Sequence, residues 1–93
     1  MTKFAPGPKY RDPHSGNEWA NEHTFQIAYW LLNDFEIYQK MQNFVEKYDG
    51  PTPYRAWIFE MDMLQNSTPT GWKLVADEVH YGELSEIMRA SKN

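Results

Sequence analysis

Apolar residues return at the spacing of an α-helix in four separate blocks of this chain, and that periodicity restricts the fold more than any other feature. In the first block Phe25, Ala28, Tyr29 and Leu32 fall at i, i+3, i+4 and i+7, with Ile27 and Leu31 widening the stripe. That pattern marks one buried helix face and predicts a helix from Glu18 or Glu22 to Leu32. Asn33 and Asp34 interrupt it, and Asn33 with Glu36 three residues on reads as a capping-box variant. A second helix is expected from Asp34 to Tyr48, on Ile37, Met41, Phe44 and Tyr48, joined by Tyr38 and Val45. Asp49-Gly50-Pro51 supplies its stop, Gly50 being suited to a left-handed C-terminal cap. Thr52 as cap and Pro53 as first helical residue open a third helix, whose buried stripe is Tyr54, Trp57, Ile58, Met61 and Leu64. After a polar turn from Asn66 to Gly71, Trp72 to Val75 fits a short strand or an extended segment. As a strand it needs a partner from the N-terminal arm or another subunit. The last helix spans Tyr81 to Ser91 with Leu84, Ile87 and Met88 inward. Its acids Glu83 and Glu86 lie early and its bases Arg89 and Lys92 late, as the helix dipole prefers.

Residues 1–17 read differently. Pro6, Pro8 and Pro13 block a helix and Gly7 and Gly16 add turns, so an extended arm is expected, with local positive charge from Lys3, Lys9 and Arg11. The architecture predicted is mainly α: a small bundle of three to four helices over residues 18–93, a single helical domain with its first helix central against helices two and three. An extended Pro-rich N-terminal arm precedes it, and there is room for one short strand.

Ninety-three residues bury only about 60–65% of their unfolded surface, so each large apolar side chain counts. Four Trp, six Tyr and five Phe can supply much of a small core, and such richness argues against disorder. Nine Lys plus Arg stand against thirteen Asp plus Glu, a formal charge of −4. A nucleic-acid partner is disfavoured, because phosphate binding calls for a basic excess. The absence of cysteine excludes disulfides, thiolate zinc sites and cysteine nucleophiles. No apolar run approaches the roughly 20 residues that cross a bilayer, and the first sixteen residues lack the apolar stretch of a secretory signal. A cytoplasmic protein without a membrane partner is the expectation, and the sequon at Asn66-Ser67-Thr68 is then a chance match.

Trp19, Asn21, Thr24, Phe25, Ile27, Trp30, Leu31, Asn33 and Asp34 together resemble the pattern W-x-N-x-E-T-W-x-V-x-L-W-L-x-N-D. This pattern is similar to that of a family of small tailed-phage proteins with no assigned activity, some carried in bacteria by prophages. Thr68-Pro69-Thr70-Gly71 and residues 79–88 are similar to the family's C-terminal part, where a T-P-x-G turn leads into an acidic, leucine-containing helix. His23 stands where the pattern has Glu, Phe25 where it has Trp, and His80 where an acidic cap is expected. The resemblance implies a shared fold and a phage origin, with expression in the host cytoplasm; it supplies no chemistry.

The residues themselves offer little to react with. His14, His23 and His80 could join Glu18 or Glu22 around a metal, but no two histidines have the i, i+4 spacing of a helical zinc site. Glu60 and Asp62 diverge on a helix, Asp77 and Glu78 are adjacent in a loop, and no nucleophile elbow or phosphate loop is present. Neither an enzyme nor a cofactor is expected. Trp19, Phe25 and Trp57 fit a core, whereas Trp30 shares its side of the first helix with Glu22, His23 and Gln26. Either Trp30 is an exposed contact residue, as tryptophan often is at interfaces, or the arm folds back and a prolyl ring covers it. The function expected is that of a phage accessory protein that binds and inhibits a host protein, either a defence effector or a transcription or replication enzyme. Its contacts would be Trp30, His23, Gln26 and Glu22, with Tyr10 and Arg11 as auxiliaries. The alternative is an assembly module, a homo-oligomer joined through its N-terminal arm.

Overall fold

In the computed structural model, which describes residues 9–92, the chain is mainly α. A two-stranded hairpin comes first, β1 at Tyr10–Arg11 and β2 at Glu18–Trp19, followed by helices α1 (Glu22–Asn33), α2 (Phe35–Val45), α3 (Pro53–Glu60) and α4 (Tyr81–Ala90). The described part of the arm is thus no single extended strand. It reverses through an Asp12–Gly16 turn closed by the Gly16 N–H on the Asp12 carbonyl at 2.8 Å, with Gly16 in the left-handed region at φ 78°. Tyr10 pairs with Trp19 across the hairpin, so their rings lie on one face. Both rest against Phe25 of α1, with centroids at 4.9 and 5.9 Å. Lys3, Pro6, Gly7 and Pro8 lie outside the described residues.

Each helix boundary has a local cause. Asn21 caps α1, its side-chain oxygen accepting from the Thr24 N–H at 2.8 Å. Asp34, not Asn33, caps α2 by accepting from Ile37 N–H at 3.1 Å; Asn33 is still helical and donates to the Tyr29 carbonyl. The α2 helix ends at Val45, before Tyr48, in a tightened turn from Lys47 N–H to Phe44 and from Tyr48 N–H to Val45. Gly50 is not a left-handed cap. It lies under the Tyr48 ring, where a Cβ would collide. Thr52 precedes α3 but its side chain makes no capping bond, and the Tyr54 N–H turns instead to Ser85 Oγ at 3.3 Å. The α3 stripe ends early because Asp62 takes φ 57°; this reversal buries Met63 and turns Leu64 outward. Trp72 to Val75 forms no strand, only a bridge between Ser67 and Lys73.

The core gathers Ile27, Ala28 and Leu31 of α1, Met41 and Val45 of α2, Tyr54, Trp57 and Ile58 of α3, Leu84 and Met88 of α4, and Met63, Leu74 and Val79 from the connection. Both α2 and α4 pack on the other three helices, α4 the more extensively, while α1 packs chiefly on α2 and α4. The last helix takes the larger share because its small Ser85 allows close approach to α3 while Leu84 and Met88 fill the space beside it. His80 caps α4 through Nδ1, which accepts from the Glu83 N–H at 3.1 Å. Replacing it, His80→Ala, is expected to lower stability by about 1 kcal/mol in urea titrations, with His80→Asn retaining most of that.

Candidate functional site

The first helix carries the site because one of its sides is fixed and another is free. Its fixed side is Thr24, Ile27, Ala28 and Leu31, all buried. These residues also fall at i, i+3, i+4 and i+7, one position back from the stripe expected. The difference turns on Thr24, whose buried hydroxyl accepts the His80 N–H at 2.9 Å and so satisfies a polar group that would otherwise argue for exposure. Around it Ala20 N–H donates to Glu83 Oε1 at 2.9 Å, and the Asn21 amide donates to the Glu78 carbonyl. His23 Nε2 lies 2.8 Å from the Lys73 carbonyl oxygen, and its ring meets the edge of Trp72 at 5.2 Å. The start of α1 is therefore stitched to residues 73–83.

The free side then faces out. Tyr29 and Leu32, expected inside, are 54% and 44% exposed, and Phe35 at the start of α2 is 79% exposed. Two concavities adjoin at Tyr29. One, of about 220 Å³, is lined by Tyr10, Asp12, Pro13, His14, Phe25, Gln26 and Tyr29. The other, of about 300 Å³, is lined by Gln26, Tyr29, Trp30, Asn33, Asp34 and the Thr68-Pro69-Thr70 turn. Gln26 and Tyr29 belong to both, so the two are lobes of one cleft. No family model, curated protein or solved structure matches the chain.

The residues singled out from the sequence divide across this geometry. Trp30 lies between core and surface. It is half-buried and packs on the core cluster, with one side lining the second lobe opposite the 68–70 turn. Gln26 lies at the junction of the lobes and reaches Glu22, which is exposed, at 3.5 Å. Tyr10 forms a wall of the first lobe. His23 is turned away into the stitch with the 72–78 segment and is mostly buried. Arg11 is spent on the hairpin, donating to the Gly16 carbonyl at 2.8 Å and pairing with Glu18 at 3.4 Å. Asp12, Asp34, Tyr29 and Thr68–Thr70 join the site without having been singled out for it.

Two carboxylates set the electrostatics. Asp12 accepts from Ser15 Oγ at 2.7 Å and from His14 N–H at 3.0 Å. These bonds, the serine's first, hold its pKa below the ordinary aspartate value, so it stays ionised. Asp34 engages one oxygen in the α2 cap. No Lys or Arg among the described residues lines either lobe. Among the described residues no three His, Asp or Glu side chains are grouped to hold a metal, and no helix is long and apolar enough to cross a membrane. What this arrangement offers is recognition: aromatic faces, side-chain amides and two fixed negative charges.

Proposed function

We propose that the chain is a small phage-type accessory protein that binds and inhibits a host protein through the outward side of α1. The observation that carries this reading is the cleft walled by Tyr10, Phe25, Tyr29 and Trp30, with Leu32 at the end of α1 and Phe35 at the start of α2 also exposed. Aromatics in partly desolvated pockets carry most of the energy of protein interfaces. A contact of roughly 800 Å² per partner is within reach of such a face. The phage setting, the host cytoplasm as location and the class of target (a defence effector or a transcription or replication enzyme) rest on the likeness of residues 19–34, 68–71 and 79–88 to the tailed-phage family.

The test uses the tagged chain expressed in phage-infected cells, followed by an assay of the recovered host protein. Capture of one stoichiometric host protein whose activity falls on adding the chain is expected. Leu32→Asp, at a surface position, should weaken that complex by about 30-fold, the equivalent of a 2 kcal/mol hot spot, with the melting temperature unchanged. A Leu32→Asp variant that binds as the parent does would remove the α1 face from the interaction. Recovery of the chain alone would remove the host partner.

A further inference from the structure

The two lobes of the cleft share a composition that narrows the chemistry of what they take. Each combines aromatic walls with one aspartate: Asp12 beside Tyr10 and Phe25, Asp34 beside Tyr29 and Trp30. Among the described residues neither has a Lys or Arg in its lining, and the chain as a whole carries a charge of −4. An anion such as a phosphate would meet a carboxylate in each lobe, and His14 in the first lobe is already set against Asp12. A purely apolar side chain would offer nothing to the lone pairs that the Ser15, His14 and Ile37 bonds leave free on these two charged groups, which is unfavourable once water is expelled. A cation gains from both features, since an aromatic face attracts it through the ring quadrupole and a carboxylate through its charge. Between the two common cations the planar guanidinium is favoured, because it stacks on a ring while its edge donates to a carboxylate, and it is less strongly hydrated than an ammonium.

We propose that this cleft recognises arginine side chains on an extended segment of the protein partner, with a guanidinium lying against Tyr29 and Trp30 and donating to Asp34, and a second drawn to Asp12 in the adjoining lobe. The inference rests on the reading of the α1 face as the contact surface and adds the chemistry of what that face contacts. A larger acidic concavity lies elsewhere, but Trp19 is the one aromatic residue in its lining, and Glu18 and Glu86 already have arginine partners in Arg11 and Arg89.

The test is a titration of the isotopically labelled chain, followed by amide and indole resonances, with the peptide acetyl-Gly-Arg-Gly-Gly-Arg-Gly-amide. A second titration uses its citrulline counterpart, which keeps the shape and loses the charge. Saturable shifts at the Trp30 indole and at the Gln26 and Asn33 side-chain amides are expected with arginine, and binding about tenfold weaker with citrulline. The double variant Asp12→Asn with Asp34→Asn should lose the same tenfold while staying folded, because asparagine serves equally as a helix cap and in the turn at residue 12. Equal response to both peptides, an unaffected double variant, or shifts centred on Trp19 would overturn the proposal. So would Trp30 shifts that depend on concentration in the chain alone, which would give the cleft to a second copy. If the double variant still captures the host protein while Leu32→Asp does not, the α1 face stands and arginine recognition falls.

Discussion

Truncating Trp57 to alanine is expected to remove about 3–5 kcal/mol of folding stability, much of the roughly 5–15 kcal/mol a domain possesses. The indole is fully buried on α3 among Tyr54, Ile58 and the side chains of α4 that cross it. The helices that meet there close the core, so the neighbours have little freedom to collapse into the space left behind. Trp57→Phe should be much milder, within about 2 kcal/mol, for a reason particular to this site. The Trp57 indole N–H is buried without a hydrogen-bond partner, so the phenyl ring loses volume but also removes an unsatisfied donor. Equilibrium urea unfolding of both variants measures the split. A loss under about 1 kcal/mol for the alanine variant would mean that α3 is not seated as described.

Alkaline unfolding should be the second large effect, and Tyr54 its source. Its side chain is wholly buried and its hydroxyl donates to the Leu74 carbonyl at 2.8 Å. Burial pushes the phenol well above its ordinary pKa, with the neighbouring Tyr81 adding to the shift. Folding therefore favours the protonated form. Below the unfolded value near 10 both states hold the proton and the full stability is present. Above it the unfolded chain ionises while the folded one resists, so stability falls by about 1.4 kcal/mol per pH unit until the folded value is reached. Stability measured between about pH 9 and pH 12 should bend downward for the parent and bend less for Tyr54→Phe. That variant should start about 1–3 kcal/mol lower at neutral pH because the Leu74 carbonyl loses its donor. Parallel curves for the two proteins would acquit Tyr54.

The helical architecture was legible because the signals that mark it are local. Ile37, Met41 and Val45 on α2, and Leu84 and Met88 on α4, repeat at helical spacing and turn to the core. Proline at the start of α3 and the polar run after Met63 punctuate the chain where the backbone turns. The face of α1 was harder, because residues 24, 27, 28 and 31 satisfy the helical template as well as residues 25, 28, 29 and 32 do. Choosing between them requires knowing that His80, fifty-six positions away, supplies a donor to Thr24. The end of α3 depended on a left-handed Asp62, and the hairpin on strands of two residues, too short to show alternation. Of the cleft, Gln26, Trp30 and Tyr10 could be picked out as polar or aromatic residues without a place in the core stripe. Asp12, Asp34 and the 68–70 turn come together only through the tertiary fold, and His23 and Arg11, named alongside them, are consumed by contacts with the chain itself.

The stitch between the start of α1 and residues 73–83 also bears on how the chain emerges from a ribosome. Ile27 and Leu31 are synthesised early, yet the helix that covers them beside α2 is the last one made. Until α4 leaves the exit tunnel, these side chains have only part of their shelter, and the nascent chain presents apolar surface of the kind chaperones bind. Completion of the core then awaits α4 and closes a loop of more than fifty residues, a contact pattern that slows folding relative to a bundle built from neighbours in sequence.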